Sequence, residues 1–241
     1  MTTDKQPLLA ARLVALSEVV LCSGFPTQLA IGGTFAAFGD NAFTDSGALS
    51  MRYVVGLSLI DSVLVTGLVF LFLVIHGERP RDVLLGDRRV SGEAVAGVPM
   101  TFVALALAMG VVATTHLVAP WLRTVPENPL QSLLQSPRDA VLLALVVIVA
   151  GGVREEIQRA FALHRFDIWL GGGATGVIVT SAAFGAGHLI QGADAALATG
   201  VLGAFWGVVY LRRRSAVAPM VSHAGFDLLQ IVAFVAARKS F

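Results

Sequence analysis

Apolar runs of membrane-spanning length recur along the whole chain, and they restrict it to folds that lipid permits. A helix needs about 20 mostly apolar residues to cross a bilayer. Stretches of that kind fall at roughly 12–37, 53–76, 94–119, 139–163, 171–190, 193–211 and 216–237. Only helices and closed barrels satisfy their backbone inside hydrocarbon, and runs this long are helical. The expectation is therefore an all-α, polytopic integral membrane helical bundle of about seven transmembrane helices. Charged residues make up only 14% of the chain, against about 25% in an ordinary soluble domain. No internal repeat or soluble second domain is visible, so residues 1–241 are expected to form a single membrane-embedded domain. The first run is the least regular, because Glu18, Pro26, Thr27 and Gln28 interrupt it. A kinked helix, or a helix and a re-entrant piece, is expected there.

Lys and Arg are unevenly divided between the two ends of these spans. One side holds Lys5, Arg12, Arg79, Arg81, Arg88, Arg89, Arg165, Arg212, Arg213 and Arg214; the other holds Arg52, Arg123, Arg138, Arg238 and Lys239. The positive-inside bias then predicts a cytoplasmic N-terminus, an external C-terminus and a multi-pass protein of the cell (inner or plasma) membrane. The loop at 119–138 is expected along the outer surface. Arg212 to Arg214 read as a topology anchor. A net charge of +1 without a basic stripe sets nucleic acid aside. The single cysteine, Cys22, excludes an intramolecular disulfide and reads as a small buried hydrophobe. Gly171, Gly173 and Gly176 match a G-x-G-x-x-G pattern by letter, but no strand precedes them, so no nucleotide is expected. Gly172 with Gly176, and Gly203 with Gly207, read as close helix packing.

The informative residues are the ionisable ones inside apolar runs, where a charge costs roughly 2.5–3.5 kcal/mol. They are Asp61, the cluster Arg154, Glu155, Glu156 and Arg159, His188, and the pair His223 and Asp227. Arg159 lies four residues after Glu155 and three after Glu156; His188 lies four after Phe184, and Asp227 four after His223, so each set shares a helix face. Adjacent Glu155 and Glu156 point about 100° apart, so Arg159 can neutralise one while the other faces elsewhere. Counted from the cytoplasmic span ends at about 1.5 Å per residue, Glu155, His223, Asp227 and His188 lie roughly 12, 11, 17 and 26 Å deep. One pocket in the cytoplasmic half of the membrane is expected to gather them. Carboxylates and imidazoles converging there supply a base for water and donors for an oxyanion. Taken singly, each of these groups also has a plain structural reading as an ion pair or an interhelical hydrogen bond. For Asp61 the packing or cavity role is preferred.

Glu155-Glu156-x-x-Arg159, Phe184-x-x-x-His188 and His223-x-x-x-Asp227, in this order on three spans, resemble the motifs of the CPBP family of intramembrane proteases, whose eukaryotic members trim prenylated CAAX proteins. A longer spacing often written for the first motif would put its arginine at position 160, which is Ala160 here. The resemblance covers roughly residues 139 to 237, the expected catalytic core. It implies an intramembrane endopeptidase acting on a membrane-associated peptide or protein, lipidated ones included, with membrane lipids as its surroundings. It implies Glu155 and His188 as the water-activating pair, His223 and Asp227 as oxyanion stabilisers, and Glu156 and Arg159, with Phe184, as support. An ionised Asp227 would repel an oxyanion, so Asp227 must be protonated, orient His223 or bind a metal. Glu155, His188, His223 and Asp227 together offer two nitrogens and two oxygens, a set that a divalent metal such as zinc accepts; the cofactor is either none or such a metal. The rival readings are a non-catalytic membrane scaffold or immunity protein using the same polar cavity for binding, and a transporter, which would usually show inverted repeats that are not seen here.

Overall fold

The computed structural model describes residues 5–126 and 128–237, with side chains from residue 8 onward. Arg238 and Lys239, counted above on the outer side, lie outside the described residues. Among the described residues there is no strand, only an isolated antiparallel bridge between Phe43 and Leu49.

Helices α1 (Lys5–Leu21) and α2 (Phe25–Ala37) form the expected interrupted first run, bent by 42°. The bend lies where Gly24 takes the left-handed conformation (φ 80°) and Pro26 opens the next helix. Helix α3 (Met51–Ile75) starts at Ser50, whose side chain accepts from the Tyr53 backbone N–H, and a short α4 (Pro80–Leu84) follows. Helix α5 (Val90–Val118) leads into two 3-10 turns, Pro120–Leu122 and Pro129–Leu133. Then α6 (Pro137–Val146) passes through a π-helical segment, Val147–Arg154, into α7 (Glu155–Trp169). The chain ends in α8 (Gly173–Gly187), α9 (Ala193–Arg213) and α10 (Val217–Ala237).

Burial is inverted relative to a water-soluble domain. Val63 and Ile178 are 72% and 71% exposed, whereas Asp61, Glu93 and Arg165 are each 2% exposed. Apolar side chains face outward and ion pairs face inward, which is the arrangement a lipid solvent favours. Four helices, α3, α5, α9 and α10, are long and apolar enough to cross a membrane, and the bent α1–α2 pair makes a fifth. The seven expected spans are not reached by this measure. Helix α8 is apolar but only 15 residues long, and the run at 139–163 is divided among α6, the π segment and the charged α7. The protein is a multi-pass helical membrane protein.

The Arg-rich end of the bundle is fastened by ion pairs. Arg213 meets Glu93 at 2.6 and 2.8 Å, and Arg214 meets Asp167 at 2.8 Å, so two of the three arginines expected as an anchor tie α9 to α5 and α7. Arg165 on α7 bridges Glu18 on α1 (2.7 Å) and Glu78 after α3 (2.6 Å). Burial raises the Glu78 carboxyl, but hydrogen bonds from Arg165 and His164 outweigh it and hold the group below the usual carboxylate range. Two glycines, Gly171 (φ 98°) and Gly172 (φ 92°), turn the chain from α7 into α8, and the Gly172 N–H closes the turn on the Phe166 carbonyl. Gly172 is thus a turn residue with nothing near its missing Cβ, not the packing contact expected; Gly176, Gly203 and Gly207 do meet neighbouring side chains.

Candidate active site

The π segment sets the stage for Glu155. Its Gly152 faces Ala224 of α10 so closely that an added Cβ would stand 2.6 Å from the Ala224 Cβ, and one on Gly151 would stand 2.7 Å from Asp227 Oδ2. Two adjacent glycines therefore let α10 lie against the turn that precedes the glutamates. π-Helical turns of this kind are rare and recur at functional sites.

From there the two glutamates diverge as their helical phase requires. Glu156 is 1% exposed; it is ion-paired with Arg159 and accepts from His223 Nδ1 at 2.8 Å. Glu155 remains partly open, with Oε2 3.8 Å from His223 Nε2. Asp227 Oδ2 stands 3.6 Å from the same nitrogen. Because a carboxylate accepts at Nδ1, that nitrogen carries the proton. The His223 ring is clamped on its faces as well. Trp206 of α9 stacks on it at 3.9 Å with the planes 17° apart, and Phe184 stands edge-on at 6.0 Å. Trp206 is itself fixed by donating from Nε1 to Ser222 Oγ at 3.1 Å, and the Arg159 guanidinium lies 4.6 Å from the Phe184 ring centre.

His188 sits just past the end of α8. Its Nδ1 donates to the Phe184 carbonyl at 2.8 Å, which leaves Nε2 as the free acceptor. Glu155, His188, His223 and Asp227 all line one cavity of about 380 Å³. Its remaining wall is mostly apolar where α3, α5, α6, α9 and α10 face it, with Ser58, Thr199 and Gln230 among them, and polar where Asn128, Gln131 and Gln191 meet it. These last three residues belong to the end of the bundle opposite the Arg-rich turns, the end that the positive-inside bias predicts to be external.

All seven residues singled out in the three motifs thus fall in one neighbourhood, with Arg159 paired to Glu156 and not to Glu155. Sequence reasoning missed Trp206 and the two glycines, and it left Asp61 without a partner. Asp61 is ion-paired with Arg154. For metal binding the fit is poor: among the described residues no three His, Cys, Asp or Glu side chains gather closely enough to hold an ion.

Residues 137–229 match the family described as Type II CAAX prenyl endopeptidase Rce1-like. No curated protein and no solved structure matches the chain.

Proposed function

Because residues 137–229 match the Rce1-like CAAX protease family, we propose that the chain belongs to it and is an intramembrane endopeptidase cleaving a membrane-anchored peptide or protein with water activated by Glu155 and His188. The observation that carries this reading is the convergence of Glu155, His188, His223 and Asp227, from three separate helical segments, on one cavity.

The roles follow from the hydrogen bonds. Glu155 is a partly open carboxylate of the cavity, with the nearest guanidinium, that of Arg154, 4.0 Å away, and it takes the proton as water oxygen attacks the scissile carbonyl carbon. His188 Nε2, free because Nδ1 is spent on the Phe184 carbonyl, accepts the second hydrogen of that water and orients it. His223 is held by Glu156 at Nδ1 and by Trp206 on its face, so in its doubly protonated form Nε2–H points at the oxyanion. Asp227 serves beside it as a protonated acid, donating to the same oxygen. Collapse of the tetrahedral species breaks the C–N bond, and Glu155 returns its proton to the leaving amine. The apolar wall takes the membrane-embedded part of the substrate, including any lipid it carries. The cell membrane is the site of action in this reading.

The test is proteolysis in proteoliposomes against a library of membrane-anchored peptides, with Glu155→Gln and His188→Ala as variants. Loss of a general base is expected to cost about 10²–10⁴-fold in kcat, and a chelator is expected to leave the rate unchanged. Cleavage that survives Glu155→Gln would refute the assignment. Chelator-sensitive cleavage would shift the mechanism to a metal bound on substrate arrival. No cleavage by folded wild type would favour a binding role for the cavity.

A further inference from the structure

Two carboxylates compete for one buried guanidinium at the edge of this site. Arg154, the last residue of the π segment, is 6% exposed. Its Nη2 donates to Asp61 Oδ2 on α3, while its Nη1 lies 4.0 Å from Glu155 Oε1, beyond hydrogen-bonding distance. Asp61 is saturated with donors, since it also accepts from Thr27 Oγ1 and, at 3.2 Å, from Gln28 Nε2, both on α2. The space for the guanidinium exists because residue 24 is glycine; a Cβ there would overlap Arg154 Nη2. Arg154 Nε has no hydrogen-bond partner.

We propose that Asp61 is a positioning residue for the hydrolysis: by anchoring Arg154 on α3, it keeps the guanidinium from closing on Glu155 and so leaves that carboxylate free to take the proton of water. This rests on the reading of Glu155 as the base. A buried guanidinium must keep a counter-charge, and once Asp61 is neutralised the nearest carboxylate is Glu155, one residue away. A charge-assisted Arg–Glu bond would then occupy the lone pairs that water needs. Thr27, Gln28 and Gly24, none of them in the family-matched segment, acquire a role in this account. They fix Asp61 and shape the slot, so α2 is linked to the site through Asp61 and its ion pair with Arg154.

The full-length protein in proteoliposomes is assayed on a library peptide that wild type cleaves. Asp61→Asn is expected to lower kcat about tenfold or more with KM unchanged, since a catalytic interaction is lost and binding is not. Adding Arg154→Gln is expected to restore most of the rate, because the released guanidinium is then gone. A purely structural Asp61 would show only as lost stability, which removal of Arg154 also relieves, with kcat per folded enzyme unchanged; that unchanged kcat in Asp61→Asn, or a lowered kcat that Arg154→Gln does not restore, overturns the proposal. The double variant buries no unpaired charge and provides a folded reference if Asp61→Asn is unstable. A second arm reads thermal unfolding and needs no substrate. Asp61→Asn and Glu155→Gln together are expected to lower Tm by more than their sum, because Arg154 then loses both counter-charges, and the excess should vanish with Arg154→Gln. Simple additivity overturns the link among the three residues. An inert wild type overturns the protease reading and with it the role in hydrolysis, a failure distinct from additivity.

Discussion

Asp227 is the residue at which the chemistry is most exposed to test. It stands four positions after His223 with its carboxyl 3.6 Å from the imidazole Nε2, on the same side as Glu155. An ionised group at that place would oppose the oxyanion, whereas an acid or an amide can donate to it. Asp227→Asn is therefore expected to keep cleavage within about tenfold of wild type, and Asp227→Ala to lose about 10²-fold, the scale of one oxyanion donor. The reverse order, with the amide as damaging as the alanine, would mean that the negative charge is what matters. The spacing that located Asp227 was legible in the sequence because both partners share one helix, and Phe184 with His188 spans the last turn of α8 in the same way. Trp206 was not legible. It reaches His223 from a different helix, and nothing local distinguishes a ring-stacking tryptophan from one in a lipid-facing run. Arg154 was half legible: its charge inside an apolar run marked it, but its partner Asp61 lies 93 positions away.

At the scale of elements, the site depends on how closely the π segment and α10 approach. The run AVLLALVVIVAGGV reads in sequence as an uninterrupted span, and its helical content was indeed predictable. What could not be read was the change to π geometry at Val147–Arg154, the segment in which Gly151 and Gly152 pack against α10. Gly152→Ala should push the two elements apart, since its Cβ meets the Ala224 Cβ at 2.6 Å and its backbone N at 3.2 Å. Overpacking of this kind costs about 1–3 kcal/mol, and the displacement should also separate Glu155 from His223 and cut kcat. Gly110→Ala on α5 is the matched control, because nothing lies within 4 Å of its missing Cβ. There the better helix propensity of alanine is expected to leave stability equal or up to about 1 kcal/mol higher. Unfolding midpoints and cleavage rates of the two variants, measured side by side, decide the matter; equal behaviour would mean that the close approach is not needed.

For the whole molecule, the question is which face of the membrane feeds the cavity. Fold class followed from apolar run length, since lipid leaves a chain like this no other choice. Sidedness does not follow from run length: α8 runs from Gly173 to Gly187, and His188 after it sits at the end of the bundle away from the Arg-rich turns, in line with its count of roughly 26 Å. Arg79, Arg81, Arg88 and Arg89 lie at one end, together with Arg212, Arg213 and Arg214. Asn128, Gln131 and Gln191, which line the cavity, lie at the other. If positive charge stays in the cytoplasm, a substrate reaches Glu155 from the opposite side. Single cysteines separate the two orientations, and the native Cys22, only 1% exposed, does not interfere. An impermeant thiol reagent applied to intact cells should label Gln131→Cys at once, and Arg89→Cys only after the membrane is opened. The bulk left on Gln131→Cys should also slow cleavage, because that residue borders the cavity. The opposite labelling pattern would place the Arg-rich turns outside and return substrate access to the cytoplasm.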